Sequence, residues 1–460
     1  MNHAALVLAA LTAIHFPVST SDAQAQAYVD RGLFYYYAYD DGDSVDAFGA
    51  AAARDPKLAM AYWGEALADG PDLNSPMTEE GFLRGQSAIA KAVALERDAS
   101  DAERGYIDAM ALRYQGTWTD WNADDAAYRR AMIAIVQPAP NTEGATVARL
   151  LAAEALLEHG GLIWSGPAPE TADSQRALAL VNGVLSDDPE NVMANHLCLH
   201  LYDAAPDRTP ARACALRLDA AIFPPQAEHL AHMPSHYWIE TGNYPAAMDS
   251  SERAYRLFTQ LQQVAGRNPD HDRYLVHDVY VGYSAAMMLG SYDAARRWSS
   301  RMDAVYETRF DALTALRFGH FAEAYALASG KTPSELAVRG LAAVELGRQS
   351  EARELAVSLR ALSESGDLAQ LFLARLAESD GKYEDAARSI ERAVTLQRDA
   401  FADELIPLLP ALEARGDFAM RCAAYADAVE AYRATLAAYP NDARALAGLD
   451  AARKAQSRGP

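Results

Sequence analysis

Tyr425-Ala-Asp-Ala-Val-Glu-Ala-Tyr-Arg-Ala-Thr-Leu-Ala-Ala-Tyr-Pro440 reads as one amphipathic helix stopped by proline. Its opening phrase, an aromatic residue followed three positions later by alanine, recurs at Tyr244/Ala247, Tyr292/Ala295, Phe321/Ala324 and Tyr383/Ala386. Two residues ahead of those four copies stand Gly242, Gly290, Gly319 and Gly381. Glycine at that point suits a tight turn between helices, and the aromatic–small pair suits two helices in close contact. Near the other end of the chain, Gly32, Tyr35, Phe48, Ala51 and Pro56 take the offsets that a helix-turn-helix repeat of about 34 residues requires. The expected fold is all-α, a superhelix of such hairpins.

These spacings resemble the tetratricopeptide-repeat (TPR) family over most of the chain. The resemblance implies an α-solenoid whose concave groove takes a protein or peptide ligand, and it implies no chemistry. Repeats are regular after Arg301 and looser before it. The expected organisation is therefore a specialised TPR-like part over 26–300 and a regular C-terminal array over 301–460. Asp69 to Glu80, Gln137 to Glu143 and Gly160 to Thr171 are candidate insertions that line a site, with Trp164 a candidate roof.

Composition narrows the function classes. The 460 residues are half hydrophobic, enough for a large core, and 41 basic against 63 acidic residues leave a net charge of −22. Such a balance argues against a nucleic-acid partner. An apolar run from Ala4 to Ile14, followed by Ala23-Gln24-Ala25, fits a signal peptide over 1–25 and a periplasmic or secreted protein, although Met-Asn-His at the start carries no Lys or Arg. That run is too short to span a bilayer, so no membrane span is expected in the mature chain. Cys198 and Cys214 flank Pro206 symmetrically, where the chain turns between two helices. In an oxidising compartment they are candidates for a disulfide.

Five of the 11 histidines fall within 41 residues, as His196-x-x-x-His200 and His229-x-x-His232-x-x-x-His236. On a helix turning about 100° per residue, His229, His232 and His236 share an arc of about 60°, as do His196, His200 and Asp203. Converging neutral imidazoles are ligands for a divalent cation, zinc or copper above all. Pro234 interrupts the second run and either aims His236 or marks a helix start, with the histidines then in a polar layer between helices. Glu154 sits in the apolar stretch Leu150 to Leu157. It is a candidate acid/base beside a metal-bound water, or else an edge residue paired with Arg149.

The same residues resemble a subset of exported bacterial TPR proteins with a helix reading NHxxxHxxE and a later HLxHMPSH. Here these are Asn195-His196-x-x-x-His200-x-x-Asp203 and His229-Leu-Ala-His232-Met-Pro-Ser-His236, with further similarity at Ala59 to Gly64, Ala153 to Leu156 and the Gly-Pro-x-Pro-x-Thr stretch ending at Thr171. Asp203 departs from the subset's Glu, and an Asn-His pair is missing near Asp40-Asp41-Gly42-Asp43. His277-Asp278 is similar to a recurring His-Asn, which makes His277 an additional ligand candidate. The resemblance supplies site residues and no reaction. Three functions are therefore weighed: an interaction scaffold holding a metal, a metal-dependent enzyme using Glu154 or Asp203, and a metal-free peptide-binding solenoid. No Walker A loop, G-x-S-x-G, H-E-x-x-H or Gly-rich dinucleotide turn is present.

Overall fold

The computed structural model describes residues 14–136, 144–158, 171–203, 205–265, 269–305, 309–400 and 406–458. Among them every regular element is helical, and consecutive helices pack on one another as hairpins. No helix there is long and apolar enough to cross a membrane. The candidate insertion Gln137 to Glu143, most of Gly160 to Thr171, and Trp164 lie outside the described residues.

The repeat phrase of the sequence has one physical meaning throughout. Tyr244, Tyr292, Phe321, Tyr383 and Tyr425 are each the first residue of a helix. The alanine three positions on is fully buried in every copy, because a neighbouring helix passes too close for a larger side chain. Ahead of each helix, one residue adopts a left-handed backbone and the next donates its N–H five residues back: Asn243 to Trp238, Ser291 to Ala286, His320 to Ala315, Arg348 to Ala343, Lys382 to Ala377 and Ala424 to Ala419. This Schellman closure satisfies carbonyls that a helix end leaves open. Glycine fills the left-handed position at 242, 290, 319, 347 and 381; in the last repeat it is Ala423, at φ 57°. The first repeat uses the same turn, with Asp40 donating to Tyr35, but its left-handed residue is Tyr39 at φ 57°.

Two compact units are present, one of Met1–Tyr237 with Arg253–Tyr274 and the other of Trp238–Glu252 with Leu275–Pro460. In the second unit the last hairpin returns to the first. The Tyr244 hydroxyl donates to the Pro440 carbonyl at 2.7 Å, and buried Arg317 pairs with Asp442 at 3.0 Å and Glu413 at 3.3 Å. A partly open cleft of about 240 Å³ in this unit is lined by apolar residues such as Leu341 and Leu371 and by Arg375, Glu378, Arg421 and Arg444.

In the first unit, residues 14–22 lie along the opening hairpin. Phe16 is buried against Tyr106 and Trp63, with ring centroids 5.2 and 6.0 Å apart, and its N–H donates to Asp30 at 3.0 Å. Asp22 caps helix Ala23–Tyr37 by accepting from Gln24 and Ala25. Cys198 and Cys214 form a disulfide, Cα atoms 6.4 Å apart, tying helix Val192–Asp203 to helix Arg212–Ala220.

Candidate metal centre

Helix Val192–Asp203 is set at its start by asparagines: Asn191 accepts from the Ala194 N–H at 3.0 Å, and Asn195 donates to the Pro189 carbonyl at 2.9 Å. The Asn of the Asn195-His196 phrase is therefore a structural fastener. His196 and His200, one turn apart, then face inward and are almost fully buried. Across from them the chain breaks where proline requires it. Helix Glu228–His232 ends, and a new helix, Pro234–Glu240, opens with Pro234 at its first position, where a missing N–H costs nothing.

The second histidine run is shared between two foci, although His229 and His232 lie on the same helix Glu228–His232 and the break falls between His232 and His236. At the first, His229 joins the other helix: His196 Nε2 lies 2.9 Å from His200 Nε2 and 3.2 Å from His229 Nε2, and the three ligand atoms fall within 4.8 Å of one another. Two nitrogens bound to one ion at about 2.0–2.1 Å sit roughly 3 Å apart, so this spacing suits a shared cation. At the second focus, His232 Nε2 and His236 Nε2 approach to 2.9 Å. The His229 and His232 rings are 6.4 Å apart, so the foci are neighbours. Asp203 stands beside His236, its Oδ2 3.5 Å from Nδ1. His277 is half-buried on helix Pro269–Leu289, in the stretch belonging to the second unit, and Asp278 beside it is buried.

Burial holds all three rings of the first focus neutral. It pushes His196 and His229 well below the ordinary histidine value and His200 down to about 3, and neighbouring histidines push the same way. Neutral imidazole is the ligating form. The Tyr37 backbone pushes His196 the other way, without offsetting its burial.

Three residues at this site had no signal among the histidine motifs. The Tyr39 ring covers the first focus, with centroids 4.8, 5.1 and 5.8 Å from His196, His229 and His200. Tyr274 flanks His229 at 4.7 Å, and Asn74 Nδ2 comes to 3.5 Å from His229 Nε2. Asn74 belongs to the insertion from Asp69 to Glu80, held by Ser75 donating to Asp72 at 2.8 Å. Tyr39 was legible in one respect: it occupies the turn position where most other repeats carry glycine. Both tyrosines also line a cleft of about 550 Å³, together with Asp40, Asp41, Asp43, Asp46 and Asp69.

Glu154 corrects one sequence expectation. It is buried on helix Ala145–Leu157, while Arg149 pairs with Asp187 at 2.8 Å. Neither carboxylate oxygen has a hydrogen-bond partner of good geometry among the described residues. Burial raises its pKa well above the carboxylate range, and Glu158 adds to the shift, while Tyr36 nearby favours the charged form. Glu158, raised to about 7 chiefly by burial, pairs with buried Arg113, which also bonds Asp125 at 2.8 Å and covers the Tyr128 ring at 3.8 Å. Burial raises the Tyr36, Tyr37 and Tyr39 hydroxyls well above the ordinary tyrosine value, and the Glu154 carboxyl adds to the shift.

No family model and no curated relative matches the sequence. Among solved structures, the chain is similar to the P58(IPK) TPR domain, at 14% identity over 95% of this chain and 99% of that one, TM-score 0.23. It is similar to yeast Tom70 at 10% identity over 95% of this chain and 90% of that one, TM-score 0.28. A third, from the Naa15/Naa10 complex bound to HypK-THB, is 13% identical over 95% of this chain and 68% of that one, TM-score 0.34. Agreement at this level carries no argument. The TPR-like assignment rests on the repeated turns and buried alanines described above.

Proposed function

We propose that this chain is an exported, TPR-like interaction scaffold whose first unit holds a divalent metal, zinc or copper, on His196, His200 and His229. The observation that carries the reading is the convergence of three neutral, buried Nε2 atoms from two helices. Buried Glu154, in the same compact unit, is an otherwise costly orphan carboxyl. The five aspartates of the neighbouring cleft would raise local cation concentration beside the site. Three imidazoles leave a coordination position open, the arrangement of a catalytic centre. A metal-dependent enzyme with Glu154 as the acid/base is therefore the second reading, favoured by that orphan carboxyl. The expected protein or peptide ligand is assigned to the Arg- and Glu-lined cleft of the second unit.

Packing of residues 14–22 bears on export. A cut after Ala25 would remove buried Phe16 and the Asp22 cap, so we propose that residues 14–22 stay with the folded chain. N-terminal sequencing of periplasmic protein checks this, with a start at Gln26 the contrary result. For the metal, full-length protein is purified from its native compartment and analysed for elements beside His200→Ala. Stoichiometric zinc or copper in wild type, lost in the variant while helicity is kept, is expected. A wild type that stays empty, even after incubation with either ion, leaves a metal-free scaffold.

A further inference from the structure

We infer that His232 and His236 form a second cation site adjoining the first, so that the five clustered histidines hold a two-metal centre. The inference rests on the metal reading of His196, His200 and His229. It begins from the ring edges that face away from the shared space. Asp203 Oδ2 lies 3.5 Å from His236 Nδ1, and Ser235 Oγ lies 3.1 Å from His232 Nδ1. A carboxylate only accepts, so its approach favours the ring proton of His236 on Nδ1, which leaves the Nε2 lone pair for the side facing His232. Such a carboxylate–histidine arrangement is what fixes the tautomer and orientation of imidazoles bound to metals.

The backbone serves the same geometry. With the helix broken at Pro234, the two rings stand at 82° with centroids 4.7 Å apart, and their Nε2 atoms meet at 2.9 Å. Both rings are buried, so water is a poor third partner. Without metal, His232 donates its Nε2 proton to His236 Nε2; when a cation binds between them, His232 carries that proton on Nδ1 instead, where Ser235 Oγ can accept it. Ligand count points the same way, because five imidazoles exceed one tetrahedral sphere and the remaining two already face each other. The foci are linked through His229 and His232, whose rings are 6.4 Å apart. Adjoining metals are a means of clamping the attacking and leaving oxygens of one displacement.

The test uses full-length protein stripped with chelator and reloaded with Zn²⁺ or Cu²⁺, then freed of excess ion by gel filtration. Two equivalents per chain are expected by elemental analysis, with mutually broadened Cu²⁺ resonance signals. His232→Ala/His236→Ala is expected to keep one equivalent and to show an isolated Cu²⁺ signal. Asp203→Asn, which leaves both ligands in place, is expected to weaken only the second equivalent, by about 10–100-fold. One equivalent in wild type, undiminished in the double variant, overturns this inference and leaves the first site standing. Two equivalents without magnetic coupling overturn the adjacency. An empty wild type removes both readings together. Should the double variant lose its helical signal, His236→Gln alone with Asp203→Asn decides the matter.

Discussion

Tyr39 shows how one side chain carries both fold and site. It takes the left-handed turn position that glycine fills in most other repeats, a conformation costing of order 1–3 kcal/mol for a residue of its kind. The ring that this turn projects is buried against three imidazoles, and its hydroxyl has no hydrogen-bond partner among the described residues. Tyr39→Gly relieves the backbone yet removes a large buried ring, so a net loss of about 2–3 kcal/mol is expected in chemical denaturation. Tyr39→Phe should fold as well as wild type. Glu154 tells the complementary story. Its folded pKa lies above the unfolded one, so its contribution is complete below the unfolded value near 4.5 and fades as pH rises toward the folded value. In chelator-treated protein, Glu154→Gln should therefore match wild type near pH 4 and exceed it by about 1–3 kcal/mol at pH 8. Equal stability at both pH values would show that the carboxyl is ionised and compensated.

Elements here are defined by their ends. In the last repeat the left-handed turn is made by exposed Ala423, where no ring repays the strain. Ala423→Gly should raise stability by about 1 kcal/mol, read as a shift in the midpoint of chemical denaturation at unchanged slope. The strap of residues 14–22 is an end of another kind, since Phe16 fills a niche between Tyr106 and Trp63. Phe16→Ala should cost about 3–5 kcal/mol in the same assay. A value near zero would mean that the strap is dispensable and that a later processing site is tolerable.

At the scale of the whole molecule, two compact units are held by different covalent and ionic devices. The first has the Cys198–Cys214 bridge, with a sequence separation of 16, placed on the same helix as His196 and His200. A closed loop of that length is worth about 3 kcal/mol, so Cys198→Ser/Cys214→Ser should lower one calorimetric transition and leave another in place. The second unit has the buried Arg317–Asp442 pair, and Asp442 also caps helix Ala443–Ser457. Asp442→Ala leaves Arg317 under-compensated, and a loss of about 3–5 kcal/mol confined to the other transition is expected.

Helices, turns and the all-α class were readable from one-dimensional spacing, because a Schellman turn needs a left-handed residue and close helix contact needs alanine at fixed offsets. The histidine residues were readable as a group for the same reason, since helical periodicity puts His196 and His200 on one face. Their partition was not. Pro234 was visible as a break, but only the packing of one helix against another sends His229 toward His196 and leaves His232 with His236. Tyr39, Asn74 and Tyr274 reach those rings from positions more than a hundred residues earlier or some forty later in the chain. Such encounters are set by how hairpins stack, a long-range property that no local periodicity encodes. Local chemistry thus determined what each helix offers, and tertiary packing alone decided which side chains meet.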